Sequence, residues 1–309
     1  MLRLIVCAFS AMALVPATAA AAPPTLTTGG VADVTQSTVT LAGSVNPHGN
    51  ATAVHFEYGI NVGYGGITPE TDAGAGTAPK NITAAVGALT PNTKYHYRFV
   101  ARYGAKIVNG KDRTFTTKKQ PLGLTLGATP ATVKWRGVAT LAGNLSGTDN
   151  KGRQVILKAN PYPYTQGFAQ VGNPLVVQDD AGTFSFPVAG IAVNTQYQVQ
   201  VPGEPAVVSP VIFVGVRVGV QYSVKKGKHR HFRFHGRLVP GSDGATVTIQ
   251  RQVGAGWKNV ASTFSHHLAN DTSSFSRRVK LRKGGHFRIA VTGVNAAYVE
   301  NVGRTVRIR

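Results

Sequence analysis

The chain of 309 residues has a single cysteine, Cys7, and it lies in the apolar N-terminal segment. Disulfides, catalytic thiolates and thiolate metal sites are therefore excluded together for everything that follows that segment. Acids are scarce, with 12 Asp and Glu against 33 Lys and Arg, so few carboxylate pairs exist for acid/base work. There is no G-x-S-x-G elbow, no H-E-x-x-H and no P-loop. No apolar run reaches the roughly 20 residues of a membrane-spanning helix. The longest, Leu4 to Val15, follows Met1-Leu2-Arg3 and precedes the small residues Ala17 to Ala22. That order is a positive n-region, an h-region and a cleavage site, so residues 1–22 are expected to be a signal peptide and the protein to be secreted. Val6 stands where a lipoprotein signal carries a small residue, which argues against lipidation at Cys7.

What is abundant is alternation. Thr38-Val39-Thr40-Leu41, Val54-His55-Phe56-Glu57-Tyr58, Tyr95-His96-Tyr97-Arg98-Phe99, Tyr197-Gln198-Val199 and Val247-Thr248-Ile249-Gln250 each place apolar residues at every second position. The 36 glycines and 17 prolines fall mostly between such runs, where turns need them. No segment carries a sustained helical period. An apolar content of 42% against 15% charged residues supports packed cores, not disorder. The expectation is an all-β protein of three tandem antiparallel β-sandwiches.

The first unit is placed at residues 23–118. Its Gly43-Ser44-Val45-Asn46-Pro47-His48-Gly49, Phe56-Glu57-Tyr58-Gly59, Leu89-Thr90-Pro91-Asn92-Thr93-Lys94-Tyr95 and Thr114-Phe115-Thr116-Thr117 stretches resemble a bacterial fibronectin type III-like domain. The resemblance implies that Tyr95 buries its ring while its hydroxyl binds backbone a few residues upstream. Residues 119–215 and 216–309 read as divergent copies of one another. Val138 to Leu145, Val155 to Lys158, Gly182 to Phe186 and Tyr197 to Val199 recur in order as Phe232 to Leu238, Val247 to Gln250, Ser274 to Ser276 and Phe287 to Ile289. Both units resemble bacterial immunoglobulin-like surface domains. Val207 to Val224 reads as one strand passing almost directly into the next, which predicts a stiff connection.

The charge is concentrated. Residues 216–309 hold 18 of the 33 Lys and Arg, three of the 12 acids and six of the nine histidines. Strand parity then says which of them share a face. With Phe232, Phe234 and Leu238 inward, Arg233, His235 and Arg237 point out. With Phe275, Val279 and Leu281 inward, Arg278 and Lys280 point out, and Arg282 follows in the turn. Phe287, Ile289 and Val291 leave Arg288 outside, and Val306 and Ile308 leave Arg307 outside. Arg233, Arg237, Arg278, Lys280, Arg282, Arg288 and Arg307 are accordingly the expected polyanion-binding residues. The expected partner is an anionic cell-wall polymer or acidic glycan, with extracellular nucleic acid a further candidate. The competing reading is that the charge only confers solubility.

Other motifs weigh less. His229 and His231 have an i, i+2 spacing but no acidic neighbours and many cationic ones, so no metal and no cofactor is expected. Asp179-Asp180-Ala181-Gly182 is the best carboxylate pair and is read as a hairpin turn. Three Asn-x-Ser/Thr triplets, at Asn81, Asn144 and Asn270, are of a length that arises by chance. Trp135 and Trp257 are expected in core or edge packing. Tyr162 and Tyr164, flanked by prolines, are expected to be exposed and to offer a glycan or protein contact. The resulting expectation is a non-enzymatic binding or adhesion protein of the cell surface or exterior. A purely structural spacer is the alternative, and a carbohydrate-active enzyme using Asp179 and Asp180 a more distant one.

Overall fold

The computed structural model describes residues 21–203 and 205–309. The expected signal segment, Cys7 included, lies outside the described residues except for Ala21 and Ala22. Every regular element described is a β-strand, and among the described residues no helix is long and apolar enough to cross a membrane. The chain divides into two compact units, one ending at Gln120 and one spanning Pro121–Arg309.

The first unit contains β1 (Thr25–Ala32), β2 (Val39–Asn46), β3 (Thr52–Gly59), β4 (Gly66–Ile67), β5 (Thr71–Gly74), β6 (Lys80–Val86), β7 (Lys94–Tyr103), β8 (Lys106–Asn109) and β9 (Arg113–Thr116). One sheet is β1-β2-β6; the other is β4-β3-β7-β8, with β5 beside β3 and β9 beside β7. Alternation in β2 turns Val39, Leu41 and Val45 inward. Gly43 holds the remaining inner position because the Phe99 ring fills the space of a side chain there: a Cβ would lie 2.7 Å from it. Phe99 in turn stacks on Phe56 with centroids 4.6 Å apart. Tyr95 is buried on Phe115, and its hydroxyl accepts the Thr90 N–H at 2.9 Å, five residues upstream as the motif implies. The Tyr97 hydroxyl crosses to the other sheet and donates to Gly29 O at 2.8 Å.

The outer face of β3 and β7 gathers acids and bases in pairs. Arg98 Nε donates to Glu57 at 2.6 Å, Arg102 donates to both oxygens of Glu70, and His96 Nδ1 lies 2.8 Å from Asp112. The Arg102 guanidinium holds the Glu70 carboxyl below the usual carboxylate range. Of these, Glu57 and Arg98 stand directly across from each other, a cross-strand pairing of opposite charges that stabilises the sheet by a few tenths of a kcal/mol.

The second unit holds two hydrophobic cores. Around the first are β10 (Gly123–Leu124), β11 (Gly127–Thr129), β12 (Thr132–Lys134), β13 (Gly137–Ser146), β14 (Gln154–Pro161), β15 (Ala169–Gln170), β16 (Leu175–Val176), β17 (Thr183–Ile191), β18 (Thr195–Val201), β19 (Val207–Val208) and β20 (Ile212–Arg217). Around the second are β21 (Gly219–Lys226), β22 (His231–Val239), β23 (Thr246–Val253), β24 (Gly256–Phe264), β25 (His266–Ala269), β26 (Thr272–Lys280), β27 (Gly285–Thr292), β28 (Asn301–Val302) and β29 (Val306–Ile308). The same pairings recur: β13 with β17 and β14 with β18 in one, β22 with β26 and β23 with β27 in the other. They differ at β16, which lies on β14, whereas β25 lies on β26.

The sandwiches are not wholly antiparallel. β11 pairs with β13 in one sheet, the chain crosses at Pro130, and β12 then pairs parallel with β20 in the other. Proline lacks the N–H that a continuous ladder needs, so the strand breaks there and changes sheet.

The two cores of this unit meet at a strapped joint. The 215/216 division expected from sequence falls inside β20, whose Val214 and Val216 belong to the earlier core, while Val218 opens the later one. Asn194 is 5% exposed; its Oδ1 accepts the Val216 N–H at 2.8 Å and its Nδ2 donates to Ala296 O at 2.9 Å. Val299 N–H donates to Val216 O and Val218 N–H to Val299 O, and Tyr298 packs against both cores. Buried backbone groups must find partners, and here each sandwich satisfies those of the other.

Candidate functional site

The outer face of β21, β22 and β26 collects the densest unpaired charge. In β22 the sequence HFRFHGRLV buries Phe232, Phe234 and Leu238 and leaves Arg233 and Arg237 exposed. In β26 Arg278 and Lys280 are exposed. Register aligns them: Lys225 of β21 lies opposite Arg233, Arg233 opposite Arg278, and His231 opposite Lys280. Three like charges thus stand abreast across three strands at the ~4.8 Å strand spacing. At about 6 Å in the dielectric of water, each adjacent pair costs ~0.7 kcal/mol before salt screening.

Few neighbours relieve this. Arg233 Nε donates to Ser276 Oγ at 2.8 Å, and His235 Nε2 lies 3.0 Å from Ser223 Oγ. Among the described residues, no Lys or Arg of 216–309 comes within 4.0 Å of a carboxylate; the only ion pair of this sandwich is His267 with Asp243 at 3.3 Å. The β21–β22 turn adds strain. His229 and Arg230 both take positive φ, at 53° and 60°, where Gly or Asn is preferred and other residues lose roughly 1–2 kcal/mol each.

Two concavities run along this face and share Arg233. One, of ≈ 540 Å³, is lined by Lys225, Lys228, His229, His231 and Arg278 among others; the next, of ≈ 420 Å³, by His235, Arg237, His266, Ser274 and Ser276. No carboxylate lines either.

The seven cations expected to act together divide. Arg233, Arg237, Arg278 and Lys280 share this face. Arg288 belongs to the opposite sheet, since β27 pairs with β23 and not with β26. It is half-buried, its guanidinium 4.2 Å over the Trp257 ring and its Nε donating to Gln250 at 2.8 Å. Arg282 and Arg307 line two other concavities. Parity along a strand distinguishes inside from outside but not one outer face from the other, so sequence merged them. Lys225 and Lys228 join the face through the pairing of β21, which no single strand's pattern announces. Arg277 stands at inward parity opposite Phe234 yet is exposed.

Tyr162 and Tyr164, expected to be exposed, are half-buried. Their rings meet edge to face at 5.6 Å, and burial pushes the Tyr164 phenol up. Each ring covers part of the other, and both keep part of their surface open. Asp179 and Asp180 lie between β16 and β17, which belong to different sheets, so the turn crosses the sandwich and is not a hairpin. Asp179 Oδ1 accepts the Gly182 N–H at 3.2 Å, and Asp180 Oδ1 accepts the Lys151 N–H at 3.2 Å. Trp135 packs against the core of its sandwich with Arg136 4.4 Å over its ring. Among the described residues, no three His, Cys, Asp or Glu converge as metal ligands would.

No family model matches the chain, and no curated protein matches it. Among solved structures the chain is similar to the FN1–FN3 domains of chicken CNTN1, at 16% identity over 93% of this chain and 99% of that one, with a TM-score of 0.30. It is also similar to a tetra-tandem repeat in the extending region of a large adhesion protein, at 14% identity over 93% of this chain and 74% of that one, with a TM-score of 0.33. A third similarity, to the sensor domain of the anti-sigma factor RsgI4 of Pseudobacteroides cellulosolvens, covers 31% of this chain and 96% of that one at 16% identity and a TM-score of 0.26.

Proposed function

We propose that this is an extracellular, non-enzymatic binding protein that holds an anionic polymer on the outer face of β21, β22 and β26. The observation that carries the reading is the abreast row Lys225, Arg233 and Arg278, with no carboxylate in ion-pair reach. Repulsion of this kind lowers stability and is relieved when anionic groups dock between the cations. The pairs of the first unit show the contrast, because there each arginine facing β3 has its own carboxylate. An acidic glycan or a phosphate-bearing wall polymer is the favoured ligand, and nucleic acid shares the same chemistry.

The test is retention of the full chain on purified cell walls, heparin and DNA as salt is raised. Release should follow log salt linearly, with a slope set by the number of anionic groups contacted. Arg233→Glu with Arg278→Glu should abolish retention, while Lys94→Glu with Lys106→Glu in the first unit should not. Equal loss from both pairs would reduce the face to one part of a general positive charge. A spacer function is favoured by one feature only, the strapped joint, and it predicts no retention on any of the three polymers.

A further inference from the structure

Beyond Tyr222 the two sheets of the third sandwich part. Tyr222 is 7% exposed, and its hydroxyl reaches across the sandwich to Arg304 O at 2.7 Å and Phe287 O at 3.2 Å. This clasp holds the edge strand β21 against the β28–β29 edge of the other sheet. Along its whole length β21 pairs only with β22, and β29 pairs only with β27, so no ladder of hydrogen bonds closes this edge.

The space between these edges is a cavity of ≈ 560 Å³, and a second of ≈ 280 Å³ adjoins it through the shared residues Phe232 and Ile308. Their combined size lies in the range of ligand sites. The floor is core: Phe232, Leu281 and Ile308 are 6–8% exposed, and Val224 and Val306 pack on the same cluster. The rim is cationic, with Arg304 and Arg307 on the larger cavity and Arg230, Arg282 and Lys283 on the smaller. No Asp or Glu side chain lines either one, and Arg309 lines both. The concavities of the polymer-binding face also lack Asp and Glu but have no such floor of core side chains, since apart from Leu268 and Phe275 their lining residues are basic, polar or glycine.

The geometry points to a separate site for a single-chain amphiphile with an anionic head, its tail along Val224, Val306 and Ile308 and its head among Arg304, Arg307 and Arg282. A hydrophilic polyanion satisfies the rim and leaves the apolar floor wet. A neutral hydrophobe covers the floor and leaves the cations unpaired. Only a molecule that is apolar along its length and anionic at one end answers both. Arg282 and Arg307, grouped by sequence with the polymer-binding cations, belong to this site. Lys226 alone is common to the cleft and the face, and the inference does not rest on the polymer reading.

The experiment is calorimetric titration of the full chain with butyl, octyl and dodecyl phosphate, each below the concentration at which it forms micelles. Affinity should rise with chain length, by roughly tenfold or more from butyl to dodecyl, since each methylene laid on the floor adds to binding. Val306→Asp, or Val224→Ser if the first does not fold, should abolish the chain-length dependence; Arg304→Gln with Arg307→Gln should weaken all three ligands. Arg233→Glu with Arg278→Glu should leave dodecyl phosphate binding unchanged, which separates this site from the polymer face. Equal affinity for butyl and dodecyl phosphate, or equal binding of dodecyl maltoside, overturns the proposal. So does binding to anionic phospholipid vesicles without binding to the monomeric phosphate, or displacement of dodecyl phosphate by a hexaglutamate peptide, which would assign the cleft to an acidic strand on the β21 edge.

Discussion

Replacing Arg278 by glutamine should weaken polymer binding while leaving the fold intact or slightly firmer, and these opposite signs are the sharpest test of the basic face. Arg278 stands directly across from Arg233, is exposed and has no carboxylate within ion-pair distance. Removing its charge relieves a few tenths of a kcal/mol of repulsion, so the melting temperature should hold or rise by a degree or so. On the binding side, one contact between unit charges at about 4 Å in water is worth ~1 kcal/mol, or roughly a fivefold change in affinity. If Lys225, Arg233, Arg237, Arg278 and Lys280 each meet one phosphate, the slope of log affinity against log salt should be about −3.5 to −4.5. The variant should be shallower by about 0.7 to 0.9. The assay is fluorescence anisotropy of a labelled heparin fragment and a labelled duplex between 50 and 300 mM salt, beside thermal melts of both proteins. An unchanged slope refutes the face as the contact surface. A fall of several degrees in melting temperature shows instead that Arg278 is structural, and the reasoning from its unpaired charge is then wrong.

Gly43→Ala should destabilise the first unit by roughly 1–3 kcal/mol, because the added Cβ lies 2.7 Å from Phe99 in a fully packed core; urea unfolding reads this directly. Asn194→Ala should cost roughly 1–3 kcal/mol by stranding the buried Val216 N–H, and it should do so with no change in salt-dependent binding. Burial pushes the Tyr222 phenol up to about 12 from its ordinary 10. The unfolded chain therefore loses this proton first. The stabilisation is complete below pH 10 and drains away between pH 10 and about 12. Tyr222→Phe should be less stable at neutral pH, for want of the hydroxyl's two backbone partners, and should show a smaller alkaline loss.

The strands were legible because alternation is a local signal: every inward residue read from Phe232 to Leu238 is buried, and every outward arginine there is exposed. Tyr95 was legible because its motif spans seven residues of continuous chain. What escaped were properties set by pairing. Arg288 sits on a strand whose parity was read correctly, yet the strand lies in the other sheet, where Trp257 and Gln250 hold the guanidinium. Lys225 was not singled out, although register makes it one end of the central row. The tyrosines of Asn160 to Thr165 were expected to project, but two rings two residues apart can cover each other when the backbone between them folds back, and Tyr164 does so at φ 66°. Asn194 gave no sign at all, because one amide in a turn has no pattern and its acceptor and donor partners lie 22 and 102 residues away.

The strap at Asn194 also ties together how the amide protons of two sandwiches exchange with solvent. Val216 N–H is held by a side chain from one turn, Asn194 N–H by Ala297 O, Val299 N–H by Val216 O, and Val218 N–H by Val299 O. No one of these can open without loosening the next, so deuterium should enter all four at one shared rate even though they belong to two different cores. Local opening in proteins follows such cooperative groups, not sequence boundaries. One cooperative exchange unit between Pro121 and Arg309 would then straddle the seam between the cores, and motion of one core against the other would require unfolding of the seam itself.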